Sequence, residues 1–212
     1  MNKRSLTALL VIVTVILVDQ AVKFAVKTGM TLHEHIAVTS WFQIFFTENQ
    51  GMAFGMDFFG TNVLTLFRVV AIAFFVYYLA RLLRRPTSMA VIVCFALVIA
   101  GALGNVIDNC LYGLIFTSSP EAYLFEPPAH IVPFGQGYGT FLTGRVVDMF
   151  YFPLWRWPDW VPLLGGQMFF NAVFNVADAA ITCGAIALLA IYYRNSLRQA
   201  RAERKARPAA AN

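Results

Sequence analysis

Charge is what this chain has least of. Asp, Glu, Lys and Arg make up only 13% of its 212 residues, about half the share of an average soluble domain. That excludes a compact globule kept in solution by its own surface. There are three cysteines, at 94, 110 and 183. An odd count leaves no complete pairing scheme, and Cys94 and Cys183 lie inside apolar runs, where Cys acts as a small hydrophobe. Histidine is as scarce, and none falls in a long apolar stretch, so serine proteolysis lacks its base there. His33-Glu34-His35 is not the H-E-x-x-H of metalloproteases. No P-loop, dinucleotide fingerprint or fixed-period repeat is present, and neither metal nor cofactor is expected. What the chain has in abundance is apolar surface: 59% hydrophobic residues and 15% aromatic, with twenty Phe. Disorder is excluded with it. The composition is that of an integral membrane protein.

A bilayer core of about 30 Å takes roughly 20 helical residues to cross. Four segments qualify, at about 6–26, 64–83, 88–107 and 168–193. The first has a basic start but no small-x-small site after it, and reads as an uncleaved anchor. Eleven of the sixteen basic residues fall in three clusters, at 3–4, 81–85 and 194–207, with Glu203 as their only acid. The positive-inside rule then puts both termini and the 81–87 turn in the cytoplasm. A nucleic-acid-binding tail is the rival reading of the C-terminal run. It leaves the other two clusters unexplained, and no nucleic acid is expected as a partner. The prediction is an all-α membrane protein, a four-helix bundle with a small periplasmic β element, built as one domain.

Residues 27–63 and 108–167 then lie outside, together with all four Trp. Strand formers at 41–47, followed by the turn-like Asn49-Gln50-Gly51, predict a surface β element over about 41–56. The stretch 113–145, with its prolines and glycines, is a long insertion without periodicity. Trp155 to Leu164 reads as an interfacial turn or short helix, and 194–212 as a cytoplasmic basic tail.

Charges inside a span cost roughly 2.5–3.5 kcal/mol each at midplane, so each needs a reason. Asp178 lies fifteen residues before Tyr193, about 22 Å of helix, close to the outer surface. Asn175 precedes it by three and shares its helix face. Asn105 and Asp108 repeat that spacing at the end of the third span. Asp148 stands in a strand-like run, 144–150, aimed back at the membrane. Three carboxylates thus converge on one candidate pocket. Two held close cannot both ionise; the charged one can take a proton from water while the other donates to a carbonyl oxygen. The plainer alternative is that Asp178 and Asp108 pair with Arg68 or cap helices. Asp19 and Lys23, one turn apart, read as a structural pair in which each offsets the other's desolvation.

Five segments, in order, resemble those of the lipoprotein signal peptidases (signal peptidase II). Asp19-Gln20-Ala21-Val22-Lys23 resembles D-Q-x-x-K, and Asn49-Gln50-Gly51-Met52-Ala53-Phe54-Gly55 resembles N-x-G-x-A-F-G. Ala100 to Asp108 is similar to G-G-x-x-G-N-x-x-D, Val146-Val147-Asp148 to V-V-D, and Phe174 to Ile181 to F-N-x-A-D-x-x-I. The resemblance implies an aspartyl endopeptidase of the bacterial inner membrane with its site towards the periplasm. Such an enzyme cleaves prolipoproteins before a cysteine carrying diacylglyceryl. By position, Asp148 and Asp178 become the catalytic pair, and Asn49, Gly51, Asn105, Asp108 and Asn175 the pocket lining. Membrane lipids and globomycin-type inhibitor peptides are the further partners it implies. The chain departs from the pattern twice. Asn109 stands where the family has an Arg associated with holding substrate, and Arg145 is the expected replacement. About thirty residues are also inserted before Asp148, expected to form an outer-face cover that shapes substrate access. Readings from other classes are a proton-coupled transporter with Asp178 as relay, and a structural subunit whose basic helix contacts anionic lipid.

Overall fold

The computed structural model describes residues 2–49 and 61–206. Four helices in it are long and apolar enough to cross a membrane: α1 (Lys3–Gly29), α2 (Thr61–Leu83), α3 (Met89–Ile115) and α4 (Val176–Ala206). The ends are set by local chemistry. The Asn2 side chain accepts from the Ser5 backbone N–H and caps α1. Ser88, just after Pro86, does the same for α3 through Val91. Leu6, Leu10, Leu17, Phe67, Phe74 and Leu189 stand exposed on the outside of the bundle. Water would make such a surface a liability; a bilayer matches it.

Helices α3 and α4 approach closely because the residues between them are small. A Cβ on Gly104 would come within 3.2 Å of the Ala177 Cβ, and within 2.7 Å of an Asp19 carboxylate oxygen from α1; one on Gly101 would overlap the Ala177 carbonyl oxygen. Gly101→Ala is therefore expected to push the two helices apart and cost about 1–3 kcal/mol. Thermal unfolding in detergent measures this, and a melting point equal to the parent's would contradict it.

At one end of the bundle lies a four-stranded antiparallel sheet, in the order β1 (His35–Ala37), β2 (Gln43–Asn49), β3 (Val146–Tyr151), β4 (Val173–Phe174). Strand β3 is buried over Val146 to Met149, and its two faces serve different ends, as the two-residue period requires. Val147 and Met149 join Val26, Met30, Phe46, Tyr112 and Phe116 in an apolar core. Asp148 points the other way, towards α4.

Several boundaries differ from those expected. The fourth helix starts at Val176, not near Met168, because Asn175 caps it and the residues before it pair as β4 with Phe150 and Tyr151. It also runs through the first part of the basic tail, to Ala206. Helix α3 continues to Ile115, so the insertion begins at Phe116. That insertion has a fixed course: Thr117 N–H bonds the His130 carbonyl, Val132 N–H bonds Ile115, and Ala122 N–H bonds Leu32. Residues 159–164 form turns, and Arg156 before them bridges Met168. The β element expected over 41–56 is present as β2, β1 lies before the expected range, and the continuation at 50–56 lies outside the described residues.

Candidate active site

The site grows from the join between β4 and α4. Asn175 and Asp178 form a reciprocal cap: the Asn175 Oδ1 accepts from the Asp178 backbone N–H at 2.8 Å, and Asp178 Oδ2 accepts from the Asn175 N–H at 3.4 Å. The cap thus fixes both the start of α4 and the direction of the Asp178 carboxylate. The fully buried Asn175 also donates through Nδ2 to Asp148 Oδ1 at 2.7 Å and to the Val147 carbonyl at 3.2 Å. One amide therefore ties the two aspartates together. Asn105, from α3, donates to Asp178 Oδ1 at 2.8 Å. The two Asn-x-x-Asp elements are not equivalent: Asn175-x-x-Asp178 is a helix cap, whereas Asn105-x-x-Asp108 lies within α3.

Asp148 is nearly inaccessible, 4% exposed. Its carboxyl is pushed up to about 8, first by burial and then by the negative charge of Asp178; Lys23 and the Asn175 hydrogen bond pull the other way. Asp148 is expected to keep its proton through neutral pH. If catalysis needs that proton, kcat/KM falls as pH rises through about 8, because the acid is then lost. An alkaline limb measured near that pH agrees; a profile flat well beyond it contradicts a role for the Asp148 proton.

Behind the pair sits a second, closed network. Lys23 is wholly buried, and its three ammonium hydrogens match three acceptors: Asp19 Oδ2 at 2.9 Å, Asp108 Oδ2 at 2.8 Å and Asn105 Oδ1 at 2.9 Å. Gln20 donates to Asp108 Oδ1 at 2.8 Å. The other Asp19 oxygen accepts from the Ala177 N–H at 2.8 Å, in the first turn of α4, and Asp108 accepts from the Val147 N–H at 3.3 Å. The structural pair expected at Asp19 and Lys23 is thus a triad with Asp108, joining α1, α3, α4 and β3.

This changes the places of several predicted residues. Asp108 does not line a pocket with the other two acids: it is fully buried, with both oxygens occupied. Asn105 and Asn175 also lie behind the carboxylates, buried and bonded to them, and not on an open wall. Asn49 ends β2, opposite Val146, and Gly51 lies outside the described residues. Arg145 does not face the aspartates. It pairs with Glu48 at 3.2 Å and stacks over the Tyr138 ring. Arg68 forms no ion pair with Asp108 or Asp178 among the described residues; it donates to Asn109 Oδ1 at 2.8 Å.

Sequence reasoning missed the cluster that holds Arg145. Buried Lys27 pairs with Glu48 and donates to Ser119 Oγ at 3.0 Å, and Ser119 donates to Glu48 at 2.8 Å. A signal was available, since 19, 23 and 27 recur at helical spacing on one face of α1. Beside Asp178 opens a cavity of about 570 Å³, walled by Phe170, Phe174, Thr182 and Cys183, in which Asp178 is the only charged lining residue among the described residues. Asp178 thus borders an apolar groove on one side and, through Asn175, a second acid on the other.

Comparison with known proteins identifies the family. The family model described as signal peptidase (SPase) II matches residues 11–194. The lipoprotein signal peptidase of Porphyromonas gingivalis is 47% identical over 188 residues, covering 86% of this chain and 81% of the relative. That of Amoebophilus asiaticus is 34% identical, covering 87% and 76%. A solved bacterial membrane enzyme structure shares the fold with a TM-score of 0.59 at 21% identity, covering 90% of this chain and 89% of the other. A second gives 0.57 at 22%, covering 88% and 92%. The chain belongs to the signal peptidase II family.

Proposed function

We propose that this protease removes the signal peptide from prolipoproteins whose cysteine carries a diacylglyceryl group, cutting before that cysteine. It works as a multi-pass protein of a bacterial inner membrane, with its site towards the periplasm and both termini in the cytoplasm. Asp148 and Asp178 are the catalytic residues. The observation that carries this reading is the Asn175 bridge: its buried side-chain amide donates to the Asp148 carboxyl and accepts from the Asp178 backbone N–H, while its own backbone N–H meets the Asp178 carboxyl, beside an apolar groove.

In the mechanism, a water between the two carboxylates loses a proton to the ionised Asp178 as its oxygen attacks the scissile carbonyl carbon. Asp148, protonated at neutral pH, donates to the carbonyl oxygen, giving a neutral tetrahedral diol. Asp178 then returns its proton to the amide nitrogen as the C–N bond breaks, and Asp148 recovers a proton from the diol. Atoms and charges balance without a covalent enzyme intermediate. Asn105 and Asn175 are positioning residues that aim the carboxylates. The groove beside Asp178 offers the apolar parts of the substrate a place next to the reacting bond, and membrane lipids surround the rest. Globomycin-type peptides are expected to compete for the same place.

Purified protein in detergent, given a diacylglyceryl-modified prolipoprotein and its unmodified counterpart, tests the reading. Cleavage of the modified form alone, blocked by a globomycin-type peptide, is the expected result. Equal cleavage of both forms, or of neither, would overturn it.

A further inference from the structure

Between β3 and β4 the chain runs out into an arm, residues 152–172, whose tip the proposed catalysis does not use. Its two sides are paired. Phe169 N–H donates to the Trp155 carbonyl and Trp157 N–H to that of Gln167, and the Trp155 and Phe169 rings stack with centroids 3.8 Å apart. The tip is closed by its own hydrogen bonds, from Gly165 N–H to the Val161 carbonyl and from Gln167 Nε2 to that of Leu163. This fixed turn presents apolar groups outward: Trp160 is 81% and Leu163 94% exposed. Leu163 holds a φ of 66°, a left-handed backbone that Gly or Asn adopts far more readily than leucine. Arg156 and Asp159 are the only charges in the arm. A turn made only to reverse the chain in water has no use for a strained, fully exposed leucine beside an exposed Trp.

The root of the arm fixes its level. Val176 to Tyr193 of α4 is eighteen residues, about 27 Å of helix. With the basic run from Arg194 at one face of a bilayer, the start of α4 therefore stands at the other. Phe170 and Phe174 do not rise away from that level. They wall one cavity with Thr182 and Cys183, six and seven residues into the helix, about 10 Å along it. Thr182, Ile186 and Leu189 share one face of α4, and Ile186 and Leu189 are exposed. The arm thus leaves the sheet beside the apolar outer surface of a span. We propose that it is a lipid anchor: Trp160 and Leu163 sit in the leaflet at the non-basic end of α4, among the acyl chains just beneath the headgroups. Trp suits that boundary, with an apolar ring and a polar N–H, and Arg156 and Asp159 stay at headgroup level. Seated so, the arm holds β3 and β4, and the groove beside Asp178, against the leaflet. This rests on the four helices crossing a bilayer and not on the cleavage reaction.

The test uses the full chain in vesicles of phosphatidylethanolamine and phosphatidylglycerol. Cys110→Ala and Cys183→Ala leave a nitroxide on Leu163→Cys as the one accessible label, since Cys94 is buried. Collisions of the nitroxide with oxygen, which concentrates in lipid, are compared with those of a water-soluble nickel complex. The expected result is a severalfold excess of oxygen collisions, in the same sense as for a nitroxide on Leu189→Cys in α4. An excess of nickel collisions, which a tip kept in water for a protein partner would give, overturns the proposal. Low access of both reagents, the mark of a tip packed against protein, overturns it as well. Should the labelled variant fail to fold, Trp160 decides without a label. Lipids brominated in the acyl chain are expected to quench more emission from the parent than from Trp160→Phe, and an equal loss overturns the anchor. Neither readout depends on cleavage, so a failed anchor and a failed peptidase reading are distinguishable.

Discussion

Asp148→Asn and Asp178→Asn are each expected to lower kcat by at least about a thousandfold, while the protein still inserts and melts close to the parent. The size follows from the proposed division of labour, in which each carboxyl moves a proton; general acid and base contributions run at about 10²–10⁴ apiece. Asparagine keeps the volume and one acceptor oxygen, so the Asn175 amide can still meet position 148 and the cap geometry at 178 is largely kept. What it removes is proton exchange. The change at 148 also relieves a buried titratable group, so that variant has no reason to be less stable. Gel-shift kinetics on the modified prolipoprotein give the rate, and thermal unfolding in detergent gives the stability. Near-parent cleavage by either variant would remove that residue from the mechanism.

Lys23→Met is expected to cost about 3–5 kcal/mol of stability, the loss typical of breaking a buried charge network from one side. Lys23 has no exposed surface, and each of its acceptors lies within 3 Å. Once it is gone, Asp19 and Asp108 face each other with Gln20 alone between them, and one must take a proton or admit water. Both are joints as well as charges. Asp19 holds the first turn of α4 through Ala177, and Asp108 holds β3 through Val147. Cleavage should fall with stability, since Asp148 and Asp178 follow those two residues directly in the chain. Adding Asp108→Asn to Lys23→Met removes one orphaned charge and is expected to recover part of the loss. An unchanged melting point for Lys23→Met would show that the triad does not bind the helices to the sheet.

How far the sequence foretold this depends on the range of each interaction. Asp19 and Lys23 are one turn apart, and Asn175 and Asp178 three residues apart, so helix geometry announces both pairs. The four spans follow from apolar length alone. The start of α4 does not. Met168 to Val173 is as apolar as a span, and only the cap at Asn175 and the pairing of Val173 with Tyr151 make its end extended. Asp108 has the same local pattern as Asp178 and yet plays another part, because Lys23 reaches it from α1 and leaves no oxygen free. The cations were misjudged for a similar reason. Arg145 is near Asp148 in sequence but turns to Glu48, ninety-seven residues away, whereas Arg68 reaches Asn109 across forty-one. Which cation serves which acid is decided by packing, on which local pattern is silent.

The central claim is that two aspartates activate a water directly, without a covalent intermediate. A single turnover of the modified prolipoprotein in water enriched in heavy oxygen, followed by mass spectrometry of the quenched mixture, tests this most directly. The account predicts one heavy oxygen in the new carboxyl group of the released signal peptide and an enzyme of unchanged mass at every time point. An enzyme species carrying the signal peptide as an acyl adduct, formed and consumed at the rate of turnover, would contradict it.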